Sequence, residues 1–217
     1  MKKILTTAIL CAGLVGFTAC DSFLDEEPKS SLTLDTYYKT SADIIGNVNY
    51  LYRDGAPDKM GNMTGAYRGS SLSVMNMVTG YFVNEYEGQE VDCSYARQLT
   101  RQDFTQSCCN YLTNDTWKSC YKSINVANAV IKYVDGVEMD NQAQYKAEAR
   151  FFRALNYFYL VKMFGDVPMV TEPTEDATLV EYPTRTAASE VFNTVIIPDL
   201  QFAVENLPNA TFAGNSH

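Results

Sequence analysis

Residues 147–170, AEARFFRALNYFYLVKMFGDVPMV, constrain the fold more than any other stretch of the chain. They carry six aromatic rings and belong to a helix predicted from about Gln142 to Phe164. Phe151, Phe152, Leu155, Tyr157, Phe158, Tyr159 and Leu160 spread round several of its faces. A helix that is apolar on several sides must be covered on several sides, so it belongs inside a packed set of helices. Gly165 supplies the left-handed residue that ends such a helix, and Pro168 prevents its resuming. The rings are therefore read as packing rather than as the lining of a ligand site.

The helix needs a partner. Trp117, Tyr121, Ile124, Asn128 and Ile131 recur at helical spacing and predict a helix from an N-cap at Asn114 to about Val134. DGVEMDN then turns the chain into the ring-rich helix. Ala147-x3-Phe151 and Ala154-x3-Phe158 are similar to the A-x3-F element of tetratricopeptide helices, and Trp117 opens the partner much as such repeats begin. Small residues let the two helices approach and the rings fill the gap. Further helices are expected from an N-cap at Ser41, with Ile44, Val48, Leu51 and Tyr52 on one face, and near Ser70–Thr79 with Leu72 and Met75. A last helix is expected after a Thr186 cap, with Ile196, Leu200, Ala203 and Leu207 on one face and a kink at Pro198. Residues 80–115 show neither helical nor strand period and are read as a long loop region, a feature that is often functional inside a compact domain. The expected fold is mainly α, with tetratricopeptide-like helical repeats and one long irregular loop region.

The N-terminus points to export. Lys2 and Lys3 precede an apolar run, Ile4 to Phe17, that is too short to span a bilayer comfortably. Thr18 and Ala19 put small residues before Cys20, which is similar to a bacterial lipobox. In that reading residues 1–19 are a lipoprotein signal peptide cut before Cys20. The Cys20 thiol takes a diacylglyceryl group as a thioether, and the freed amine is acylated, for instance with palmitate. An ordinary secretory cleavage after Ala19, with Cys20 unmodified, is the alternative. One chain anchors only marginally, at about 0.8 kcal/mol per buried methylene, so stable attachment needs a multiply acylated cysteine. Residues 20–40 then form a lipidated acidic, Ser/Thr-rich tether, and residues 41–217 the folded domain.

Charge and chemistry exclude several classes. Once Lys2 and Lys3 are removed, 15 basic face 26 acidic side chains, a net charge of −11. That argues against nucleic acid and against adsorption to anionic lipid. Cys93, Cys108, Cys109 and Cys120 show no C-x-x-C spacing and the single histidine is His217, so no zinc site and no cofactor is implied. Their disulfide state stays open, since four thiols allow three pairings. One histidine also leaves Ser–His–Asp and Cys–His machinery without its base. Glu85, Glu87, Glu90 and Asp92 keep a lipid-anchored glycoside hydrolase as an alternative, although such a loop is ordinarily solvated.

Four stretches, in order, resemble the SusD/RagB family of Bacteroidetes outer-membrane lipoproteins. They are CDSFLDEEP, WKSCYKSINVANAVI, the 147–170 segment, and YPTRTAASEVFNTVIIPDLQFAVENLP. The resemblance implies a surface-exposed, lipid-anchored protein of the cell outer membrane. It would bind an oligosaccharide or other nutrient and pass it to a SusC-like TonB-dependent transporter, without catalysis. It also implies more helices than this chain supplies, so the chain is expected to be the N-terminal SusD-like part of a longer pattern. A helical-repeat scaffold that binds only protein partners is a further alternative.

Glycan recognition calls for flat rings against a sugar's C–H face and planar polar groups for its hydroxyls. The loop region offers that mixture in Tyr81, Asn84, Tyr86, Gln89, Tyr95, Arg97 and Arg101. A solvated loop with a few packed tyrosines is the plainer alternative. Trp117, placed on a helix, is assigned to the core.

Overall fold

The computed structural model describes residues 33–55, 79–81, 101–102, 106–175 and 183–209. Its packed region opens with a short helix, α1 (Leu34–Tyr37), followed by α2 (Ser41–Tyr50). Thr40, not Ser41, caps α2. The Asp43 carboxylate accepts the Thr40 backbone N–H at 2.8 Å and the Thr40 hydroxyl at 2.7 Å. A carboxylate three residues past the cap satisfies a free donor and meets the positive end of the helix. These bonds to Thr40 hold the Asp43 pKa below its ordinary value. Tyr38 is buried and stacks on Tyr133 with ring centres 5.1 Å apart. Residues 34–40, read from sequence as the end of a tether, are thus part of the packed region.

Beyond Tyr50 the helix widens into a π-helical turn, Leu51–Gly55. Leu51 stays fully buried with Ile44 and Val48, at i, i+4 and i+7. Tyr52 does not share that face and is 56% exposed, because helical neighbours point about 100° apart. The helix expected near Ser70–Thr79 lies outside the described residues, except that Thr79 stands in a turn with Gly80.

α3 (Gln106–Tyr133) starts well before the expected cap at Asn114. No glycine or proline interrupts residues 106–115, and a mid-helix asparagine costs no more than about 0.7 kcal/mol relative to alanine. Residues 106–115, read as loop, are therefore helical. A 3₁₀ turn, Val134–Gly136, then leads to α4 (Gln142–Phe164). The Gln142 amide reaches back to the carbonyls of Val134 and Val137. The helices run antiparallel: Trp117 meets Phe164, and Tyr121 meets Tyr157. Ala127, Ala147, Ala149 and Ala154 are fully buried, which lets the backbones close on each other.

Two apolar clusters flank the pair. In one, Ile44, Val48 and Leu51 pack with Val130, Val134, Ala149 and Phe152. In the other, Cys120, Ile124, Tyr157 and Leu160 pack with Val167, Val191, Val195 and Ile196. Phe152 and Tyr157 are thus core, as the sequence implies. Phe151 and Phe158 keep 36% and 38% of their surface exposed, so the rings of α4 are not all used for packing.

Gly165 ends α4 with φ 69°, a conformation costly for any other residue. β1 (Val167–Pro168) pairs antiparallel with β2 (Arg185–Thr186), Val167 opposite Thr186. Thr186 is therefore in a strand and does not cap the last helix. Asp166 does so from across the clip: its carboxylate accepts the Ala188 N–H at 2.9 Å. α5 (Ala188–Val191) passes through a π-helical turn, Phe192–Ile196, into α6 (Ile197–Asn206). The kink expected at Pro198 takes this form, since proline lacks a donor and its ring crowds the carbonyl one turn back. The extra residue in the turn shifts the inward face. Val191, Val195, Ile196, Asp199 and Ala203 are buried, while Leu200, expected inside, is 39% exposed and Leu207 half-buried.

Candidate functional site

Two of the ligand contacts suggested by sequence are described. Tyr81 follows Gly80 (φ 77°) in a tight turn, and its ring is 88% exposed. Arg101 stands exposed in a turn with Gln102, whose φ is 55°. Asn84, Tyr86, Gln89, Tyr95 and Arg97 lie outside the described residues, as do Cys20, Cys93 and the acidic set from Glu85 to Asp92. Cys120 is a free, buried thiol. Burial pushes its pKa up to about 12, so it behaves as a small apolar group rather than a nucleophile.

Among the described residues, the segment from Pro168 onward is densely hydrogen-bonded. Residues 168–175 lie as a strap across α3 and α4, held through their backbone. The Tyr121 hydroxyl donates to the Pro168 carbonyl at 2.6 Å, and Asn128 Nδ2 to the carbonyls of Val170 and Glu172 at 3.0 and 3.3 Å. Asn125 Oδ1 accepts the Thr174 N–H at 2.7 Å. Lys132 and Tyr133 hold the Glu175 carboxylate. Tyr121, Asn125, Asn128 and Lys132 follow one another by four, three and four residues, so they form one stripe on α3. From α4, the Tyr157 hydroxyl accepts the Val170 N–H at 2.7 Å and donates to the Val170 carbonyl at 2.8 Å.

Beneath the strap sits a buried ion pair. Arg153 donates to both oxygens of Asp199, at 2.7 and 2.9 Å, and a further N–H reaches Asn128 Oδ1 at 2.9 Å. Asn128 is thereby oriented with its amide toward the strap. Arg150 lies 3.8 Å from Asp199 with its guanidinium 4.2 Å above the Phe202 ring. Burial raises the pKa of Tyr157 to about 12, against the opposing pull of the Val170 N–H and of Arg153. Burial raises that of Tyr121 as well. These groups position backbone; they offer no base or nucleophile poised for chemistry.

Sequence reasoning missed Asn125, Arg153 and Asp199. The signal it had was polarity at core spacing: an arginine among the rings of FFRALNYF, and an aspartate on the inward face of α6. Among the described residues no group of three His, Cys, Asp or Glu side chains could hold a metal ion. None of the described helices is long and apolar enough to cross a membrane.

Comparison with known proteins places this architecture. A SusD-like protein P2 from Formosa agariphila is 29% identical over 216 residues, which cover 98% of this chain and 40% of that protein. A SusD-like protein from Bacteroides ovatus is 28% identical over 221 residues, 98% of this chain and 36% of its own. The chain therefore spans about 40% or less of the length of these curated relatives. Among solved structures, one described as a complex with xylogluco-oligosaccharide matches 80% of this chain and 31% of its own, with a TM-score of 0.59 at 22% identity. A SusD-like protein from Bacteroides fragilis matches 82% of this chain and 32% of its own, with a TM-score of 0.56 at 19% identity. These likenesses establish a mainly helical, SusD-like fold. A SusD-like family model described as "Starch-binding associating with outer membrane" matches residues 22–215, and the chain belongs to that family.

Proposed function

We propose that this chain binds glycans, or a comparable nutrient, at the outer membrane and delivers them to a SusC-like TonB-dependent transporter, without catalysis. The family match across residues 22–215 carries this reading. The lipobox around Cys20 supports lipid attachment after cleavage of residues 1–19, and a tether leading to Leu34 would hold the domain at the cell surface. Ligand contacts are assigned to the region that includes Tyr81 and Arg101, together with Asn84, Tyr86, Gln89, Tyr95 and Arg97. An exposed tyrosine ring and a guanidinium match the faces and hydroxyls of a sugar.

Titration calorimetry with xylogluco- and malto-oligosaccharides tests the reading, followed by analysis of the mixtures for reducing ends. Retention with no new reducing ends is expected. Release of shorter sugars would favour a hydrolase. Co-purification with a β-barrel transporter in the absence of any sugar affinity would favour a protein-binding scaffold.

A further inference from the structure

The mixture of rings and planar polar groups sought in the loop region also occurs on other elements. Tyr52, in the π-helical turn after α2, leaves 56% of its surface in water, and Phe151 on α4 leaves 36%. Neither ring is loose. Tyr52 stands edge-on to the buried Phe152 at 4.8 Å and 84°, and Phe151 meets the same ring at 5.5 Å and 75°. One turn before Phe152, the carboxylate of Glu148 is buried beside the Tyr52 hydroxyl, and Gln144 Nε2 donates to it at 2.9 Å. A carboxylate offers about four acceptor positions, so capacity remains for hydroxyl donors.

An aliphatic face awaiting another helix would carry no such polar centre. Here a carboxylate and a carboxamide lie in line along α4, at i and i+4, beside two fixed rings. π-helical turns are also frequent at functional sites. We propose that Tyr52, Phe151, Glu148 and Gln144 form a carbohydrate subsite in addition to the turns at Tyr81 and Arg101. A pyranose ring lays its C–H face on Tyr52 or Phe151 and directs adjacent hydroxyls to Glu148 and Gln144. This rests on the glycan-binding reading above and deepens it by naming a second place of contact.

The test is calorimetric titration of the mature chain with a xylogluco-oligosaccharide and a malto-oligosaccharide of matched length. Tyr52→Ala is expected to weaken binding about tenfold, the scale of one lost ring contact, whereas Tyr52→Phe keeps the ring and stays close to wild type. Phe151→Leu, which keeps an apolar side chain against Phe152 but removes the flat ring, is expected to weaken binding several-fold with Tm little changed. That separates recognition from a merely structural role. If Tyr52→Ala and Phe151→Leu bind as wild type while Tyr81→Ala or Arg101→Ala loses affinity, the subsite is overturned and the glycan-binding function stands. If the wild-type chain binds neither sugar, both fall together.

Discussion

Arg153 and Asp199, 46 residues apart in sequence, meet in a two-pronged buried pair with N–O distances of 2.7 and 2.9 Å. The pair ties α4 to α6 and, through Asn128, to the strap. Burying two charges is costly and their attraction roughly offsets it, but leaving one charge alone is much worse. Asp199→Ala is therefore expected to destabilise the chain by about 3–5 kcal/mol, measured by urea unfolding. The double change Arg153→Met with Asp199→Leu should cost less than either single change. Strict additivity of the two singles would show that the pair is not coupled.

Tyr157 carries a different load. Its hydroxyl serves both the N–H and the carbonyl of Val170. Tyr157→Phe keeps the ring in the core and removes both bonds, leaving a half-buried backbone donor without its partner. A loss of about 1–3 kcal/mol is expected, with faster amide exchange at Val170 localised to the strap. Unchanged exchange there would mean that Asn128 alone suffices to hold the segment.

The difference between these positions and the rest of the core explains what the sequence made legible. Trp117, Tyr121, Ile124, Asn128 and Ile131 recur at helical spacing, and such periodicity is the dominant local signal, so the first helix of the antiparallel pair could be read directly. Thr186 looked like a cap because a hydroxyl before a helical run usually is one. Only the β1–β2 clip, a non-local pairing, brings Asp166 there instead. Counting 3.6 residues per turn through Pro198 turns Leu200 inward, and the π-helical turn breaks that count. Arg153 and Asp199 are individually unremarkable in sequence, and nothing local says that they face each other. Of the ligand set, Tyr81 and Arg101 are seen at exposed turns; their type suits sugars, but the partners that would shape a site are not local either.

Alkaline pH should expose the buried hydroxyls. Tyr38, Tyr121 and Tyr157 have folded pKa values raised above 10, that of Tyr157 to about 12, and Cys120 is raised from 9.0 to about 12. A raised pKa means that the folded state keeps its proton longer than the unfolded state. The stability this represents is complete below about 9 and is lost as pH rises toward 12. Thermal unfolding followed across that range should show a falling Tm, and the part of the tyrosinate absorbance that Tyr→Phe changes at positions 38, 121 and 157 remove should appear together with unfolding rather than ahead of it. Tyrosinate formation at those three positions in the still-folded chain would place these rings in contact with water.

Asp166 caps a helix to which it does not belong. Its carboxylate takes the Ala188 N–H, while its carbonyl takes the Arg185 guanidinium at 2.8 Å. Asp166→Ala is expected to cost about 1 kcal/mol, the scale of a lost cap, and Asp166→Asn should recover most of it because the amide oxygen still accepts. The equivalent change at Thr186, the residue that looked like the cap, should cost less than Asp166→Ala. Equal losses would return the capping role to Thr186.

In the proposed reading, attachment to the membrane begins at the sulfur of Cys20. That reading has Lys2, Lys3 and the apolar run to Phe17 direct export, and Thr18–Ala19 allow cleavage before the cysteine. Neither step by itself keeps the product in a bilayer. Cys20→Ser preserves export and size but removes the thioether, and about 0.8 kcal/mol per buried methylene vanishes with the acyl chains. The wild-type protein is expected in the membrane fraction, with a mass heavier than its Cys20-initiated polypeptide by the attached lipid and with incorporated palmitate label. The serine variant should appear unlipidated in the soluble fraction. If wild type and variant partition alike and share one unmodified mass, cleavage after Ala19 is ordinary secretion, and delivery to an outer-membrane transporter would have to proceed without an anchor.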